Sequence, residues 1–234
     1  MSNYYYLVAA LPDLTLDDSK LGYTPADFME EIYPALSLQD RQLIDLHRNK
    51  PDASIFTEEE QESFEGDKML LEDRLSARYY ADGMKCTNPF VASWFEFNLN
   101  LNNILVALTA RKFKLEVAPL IVGDTEVCQA LRTSGARDFG LTTEVDYLEQ
   151  LIKISEIEEL LEREKRIDQL RWTWMEEATF FNYFSVERLF VFLMQLEMIQ
   201  RWLSLDKEKG NQMFRNLIDG LKNEVRIPKE FAGN

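Results

Sequence analysis

From residue 184 the chain reads FSVERLFVFLMQLEMIQRWLSLDKEKGNQMFRNLIDGL, with apolar residues at helical spacing. Leu189, Phe192, Leu196, Ile199 and Leu203 recur at intervals of 3, 4, 3 and 4, one face of an amphipathic helix. Ser185 is placed to cap that helix. The charged run Lys207-Glu208-Lys209-Gly210 predicts its end, with Gly210 just beyond the last turn. Asn211 would then cap a second, short helix through Phe214, Leu217, Ile218 and Leu221.

A related pattern lies upstream. Phe97, Leu101, Ile104 and Leu108 recur at 4, 3 and 4 and predict a helix from Pro89 to Lys112. On the shoulder of the later helix stand Glu197 and Gln200, and 97 positions before them stand Asn100 and Asn103. Two such pairs on two such helices read as a degenerate internal repeat, a scaffold signature. Residues three apart share one side of a helix, and a partly buried polar pair must find partners. Each pair either holds a neighbouring loop through its backbone groups or offers a contact surface to a partner protein.

The remaining elements follow from caps and breakers. Asn3 to Leu11 fits a short strand or a first helix, since periodicity does not decide. Thr24-Pro25 opens a helix with Asp27 at its third position, and Ser37 with Asp40 opens another through Ile44. Thr57 with Glu60 is a capping box ahead of an acidic helix that reaches about Tyr80, buries Leu70, Leu71, Leu75 and Tyr79, and ends at Asp82-Gly83. Asp124 or Thr125 caps a short helix ending at Ser134-Gly135. Thr143 starts another, and Ser155 with Glu158 predicts a capped restart after it. The flanks of that last segment bury Ile157, Leu160, Leu161, Ile167 and Leu170.

Composition agrees with helix. Of 234 residues only 9 are Gly and 7 Pro, while 46% are hydrophobic, enough for a substantial core. The expected fold is an all-α helical bundle with degenerate internal repeats. Residues 1–84 form an N-terminal helical region and 85–234 a two-repeat region, together one continuous body. The net charge of −15 argues against nucleic acid, which requires a basic footprint, and against docking on anionic lipid. No apolar run approaches the roughly 20 residues that span a bilayer, so no direct membrane insertion is expected. Cys86 and Cys128 lie in no metal-binding spacing and read as buried free thiols of a reducing compartment.

Catalytic signals are weak. His47 is the single histidine, without a triad or Glu-x-x-His context, and reads as a surface residue. Asp17-Asp18 and Glu72-Asp73 are acid pairs of the sort that 41 acidic residues produce by chance. The expectation is no enzyme, no cofactor and no metal. The aromatic run Trp172, Trp174, Phe180, Phe181, Tyr183 and Phe184 is expected mostly in the core. Trp172 and Trp174 point about 200° apart on one helix, so one of them is exposed, buried by a partner or packed elsewhere.

The segment ERLFVFLMQLEMIQRWLSLDKEKGNQMFRNLIDGL resembles the terminal repeat of the C-type connector protein of archaeal and bacterial V-type ATPases, whose eukaryotic equivalent is designated d. Glu197 and Gln200 occupy that repeat's acid and amide positions, and Arg201 follows. In the earlier copy Asn100 replaces the acid and Asn103 keeps the amide. Ile121-Val122-Gly123-Asp124 and the helix after it resemble the repeat's loop and short helix. The opening NYYYLVAALPDL resembles a family of uncharacterised bacterial proteins encoded among V-type ATPase genes. The C-type connector is longer, with three repeats, and Trp202 blurs its pattern after Arg201. The resemblance implies a non-catalytic connector in the central stalk, cytoplasmic and peripheral to the inner membrane through protein contacts. Its partners would be the rotor axle and the membrane ring. The implied contact residues are Asn100, Asn103, Trp172, Trp174, Glu197, Gln200 and Arg201. The alternative is an assembly factor or helical adaptor, and a third reading is an all-α enzyme using carboxylates.

Overall fold

A computed structural model describes residues 4–17, 22–64 and 70–224, with backbone alone at 62–63 and 207–224. Among them there is no β-strand. The helices are α1 (Tyr5–Ala9), α2 (Pro25–Ile32), α3 (Leu38–Arg48), α4 (Glu58–Ser63), α5 (Leu71–Met84), α6 (Pro89–Lys112), α7 (Glu126–Thr133), α8 (Leu148–Ser155), α9 (Leu160–Thr179) and α10 (Val186–Glu224). Asp18, and the end of the chain from residue 225 with Pro228, lie outside the described residues.

Local chemistry starts several of these helices. Thr24 and Asp27 exchange hydrogen bonds as a reciprocal cap on α2, with Pro25 at the first helical position. Ser37 accepts from the Asp40 N–H to open α3. Thr57 and Glu60 cap α4. Asn88 caps α6, its side chain accepting the Val91 N–H at 3.1 Å. Of the two candidates for α7, Thr125 is the cap. The ambiguous opening is helical, as α1.

Two elements form the centre. α6 packs against α5, α7, α8 and α9, and α10 against α2 and α9. Leu189 to Leu193 on α10 is buried all round, every side chain at 1% exposure or less. A helix segment that is apolar on every side belongs in a core, where each such side chain contributes about 2 kcal/mol. One cluster of buried residues runs from Tyr4 to Leu196, and a smaller one joins Leu16, Trp172 and Ile199.

Several expectations are corrected. α10 does not break at Gly210: its backbone stays helical to Glu224, so the short helix expected from Asn211 is the continuation of α10. Uninterrupted i→i−4 bonding outweighs the roughly 1 kcal/mol that one glycine costs a helix. The side chains of Phe214, Leu217, Ile218 and Leu221 lie outside the described residues. α8 starts at Leu148 rather than Thr143, because residues 142–147 form turns. Ser155 does not cap α9. Its hydroxyl donates back to the Ile152 carbonyl, and Glu159 takes the cap by accepting the Leu161 and Glu162 N–H groups. Ser185 directly precedes α10, the position expected of its cap, and its hydroxyl donates to the Asn182 carbonyl. The single helix expected from the Thr57 cap to about Tyr80 is two, α4 ending at Ser63 and α5 starting at Leu71 after an extended Leu70. α5 ends at Met84, one residue past the expected Asp82-Gly83, with Gly83 in its last turn. Leu70, Leu71 and Leu160 are exposed. Cys128 is buried and Cys86 only partly so, both free thiols.

Candidate functional site

The residues expected to form a contact surface lie in different surroundings. Asn103 is 3% exposed and clamps the backbone of Val122: its amide donates to the carbonyl at 2.7 Å and its oxygen accepts the N–H at 3.0 Å. The Asn100 oxygen accepts from the Thr125 hydroxyl at 2.7 Å. Arg132 adds bonds to the Ile121 and Gly123 carbonyls. Of the two readings of this pair, the loop-holding one is what the geometry shows. Gly123 is the pivot of the held loop, at φ +83°, with Leu99 so close that a Cβ would lie 2.8 Å from it.

The second pair behaves differently. Glu197 reaches across to α3 and meets His47 Nε2 at 3.0 Å. His47 is therefore not a free surface histidine: its ring also packs against Phe190, with centroids 5.4 Å apart. Gln200 is exposed. With α10 unbroken, no loop exists for this pair to hold, and the two copies share helix register without sharing a structure.

The tryptophans divide between the two clusters. Trp172 is buried with Leu16 and Ile199, its indole donating to Glu176 at 2.8 Å. Trp174 stacks on Phe97, with centroids 4.7 Å apart and planes 12° from parallel, beside Trp94 and Phe90. By contrast Phe180, Phe181, Tyr183 and Phe184, expected mainly in the core, are exposed. They form the turn between α9 and α10, too short a link to fold back over either helix.

Arg201 belongs to a polar network that the sequence pattern did not predict. Its guanidinium bonds Asp168 on α9, a carboxylate only 1% exposed. The same carboxylate accepts from the Trp202 indole at 2.9 Å and from Arg171 at 3.1 Å. Arg171 in turn donates to Asn98 and Asn102 on α6, at 3.0 and 2.9 Å, and Asn102 donates to Tyr80 on α5. One buried carboxylate thus ties α9 and α10 directly and α6 and α5 through Arg171. The available signal was an Asp-x-x-Arg pair set between the buried Ile167 and Leu170, facing Asn98 and Asn102 one turn apart.

This arrangement joins α6, α9 and α10 as a strut would. Both arginines are engaged, and the carboxylate accepts from Arg171, Arg201 and the Trp202 indole. Among the described residues no group of three or more His, Cys, Asp and Glu side chains is placed to hold a metal. No described helix is long and apolar enough to cross a membrane. Elsewhere the titrating groups report burial: Tyr79 and Tyr147 are held well above the ordinary phenol range, chiefly by desolvation.

The class defined by these features is an all-helical body braced by buried polar ties. The chain belongs to a family described as a protein of unknown function (DUF2764), whose model matches residues 1–69 and 53–225. No curated protein and no solved structure matches it.

Proposed function

We propose that the chain is a non-catalytic connector protein of a bacterial V-type ATPase, gripped between the rotor axle and the membrane ring. The observation that carries the reading is the Asp168 tie. A part that transmits torque must not shear between its own helices, and Asp168, Arg171 and Arg201 join α6, α9 and α10 across their seams. Such polar ties fix register, which apolar packing alone does less well. The resemblance of the α10 sequence to the repeat of the C-type connector, and of the opening segment to proteins encoded with V-type ATPases, supplies the context. On this reading the protein is cytoplasmic and held at the inner membrane by protein contacts.

The test is stoichiometry. V-type ATPase solubilised from the native host's membranes should contain this chain at near-equal molar amount to its single-copy stalk proteins. Its absence from the intact, active complex would refute the proposal.

One observation favours a second reading, an assembly factor or adaptor for the same complex. α10 continues to Glu224 where the repeat of the C-type connector has a glycine break and a short helix. An assembly factor would appear below stoichiometry and only in incomplete complexes.

A further inference from the structure

The turn from α9 to α10 carries four aromatic side chains into solvent. Phe180 is 71% exposed, Phe181 92%, Tyr183 58% and Phe184 39%, and Tyr6, edge-on to the Tyr5 ring that lies against Phe184, is 88% exposed. At about 200 Å² for a fully exposed aromatic side chain, these five present roughly 700 Å² of ring surface. The largest apolar patch of an ordinary monomer is about 300–600 Å², whereas one side of a standard protein interface is about 800 Å². The patch is therefore the size of a docking surface.

It is also held in place. The Tyr4 N–H donates to the Phe184 carbonyl at 2.9 Å, and the Asn182 N–H to that of Thr179. The Tyr5 ring lies 4.6 Å from Phe184, and Tyr183 meets Phe184 at 5.3 Å. A pre-organised aromatic face gives contact area at little entropic cost on binding.

Its surroundings select the occupant. Directly beyond Phe184, a cleft of about 770 Å³ opens between α3 and the starts of α6 and α10. Asp40 and Glu187 line it with one cation, Lys85. Glu187 is 7% exposed and accepts from the Asn88 amide, and Asp40 accepts from the Tyr4 and Ser37 hydroxyls. Arg188 stands 6.0 Å from the centre of the Tyr183 ring. Glu176 and Glu177, one turn before Phe180, are exposed as well. A second copy would bring another net charge of −15 against this face.

We infer that this face docks a basic amphipathic protein segment, whose apolar side covers the rings and whose Lys or Arg side chains meet the exposed carboxylates of Glu176 and Glu177. The inference rests on the reading of the chain as an interaction protein and names the chemistry of one partner. Ring faces exposed to solvent attract such cations in addition to burying apolar stems.

The test uses the full chain and two synthetic 18-residue helices, one of Leu and Lys and one of Leu and Glu with the same apolar stripe. The Leu/Lys peptide should bind at 1:1 and the Leu/Glu peptide should not. A Tyr6→Ser/Phe181→Ser double variant should weaken binding at least tenfold, with the melting temperature unchanged because both side chains stand in solvent. Equal binding by the double variant would overturn the inference, since charge alone would then explain it. So would self-association, or binding to phosphatidylcholine vesicles, that the same variant abolishes. Absence of the chain from purified ATPase would remove the connector reading and leave these peptide results standing.

Discussion

Asp168 on α9 accepts the indole N–H of Trp202 on α10 at 2.9 Å, while Arg201, the residue before that tryptophan, bonds the same carboxylate oxygen. Two consecutive residues of one helix thus converge on one buried acid of another, and Arg171 passes the connection on to α6.

Removing the acid should cost far more than removing the outer arginine. Asp168→Ala leaves Arg171, at 17% exposure, facing the space without its counter-charge. Breaking a buried pair costs about 3–5 kcal/mol, and we expect about 3 kcal/mol here because Arg201 is half exposed and can turn to water. Arg201→Ala should cost only about 1 kcal/mol, a single charge-assisted bond at the surface. Denaturant unfolding of the two variants measures the difference, and equal losses would contradict the strut.

The two asparagines of α6 should likewise differ. Asn103→Ala leaves the Val122 N–H without its acceptor and the Val122 carbonyl with only the weak Cys128 thiol bond at 3.4 Å, and should cost about 2 kcal/mol, whereas Asn100→Ala removes one bond from the Thr125 hydroxyl and should cost about 1 kcal/mol or less. Hydrogen exchange at residues 121–125 should accelerate more in the Asn103 variant.

Glycine to alanine inside a helix normally stabilises by about 1 kcal/mol. At Gly83 the sign should reverse. A Cβ there would lie 2.0 Å from the Phe95 ring, which is itself 2% exposed and cannot move away. Gly83→Ala should lower stability by about 2 kcal/mol or more through overpacking at the α5–α6 contact. Thermal melting decides it, and a rise in melting temperature would show that this contact yields.

That glycine also shows where the sequence was legible and where it was not. Helix starts were readable because their signals are local: Thr24 with Asp27, Ser37 with Asp40 and Thr57 with Glu60 each bond within four residues. The buried face of α6 was readable from its period. Endings were mixed: α5 ends one residue after Gly83, which also makes room for the Phe95 ring, whereas Gly210 is carried through by the helix on both sides. The Asp168 tie was only half legible: Asp168 and Arg171 lie three apart on α9, but Arg201 and Trp202 come from α10. The exposed turn was misjudged because an aromatic residue's composition does not say which way a short link points.

Three phenols set an alkaline limit. Burial raises the pKa of Tyr79, Tyr80 and Tyr147 above the ordinary value near 10. Their folded pKa exceeds the unfolded one, so the associated stability is fully present below about pH 10 and is lost as pH rises past it. The Tyr79 hydroxyl also donates to the His47 carbonyl at 2.9 Å, a bond that needs its proton. Tyrosinate absorbance should therefore rise in two stages, with these phenols ionising only as the helical signal collapses. Ionisation of all nine tyrosines near pH 10 in a still-folded protein would contradict the burial described.

A photo-crosslinking residue placed at Phe181 and activated in living cells of the native host tests the connector reading most directly. We expect a single dominant adduct, to a V-type ATPase component through a basic amphipathic segment. A dominant adduct to a protein outside that complex, to lipid or to a second copy of this chain would contradict the reading.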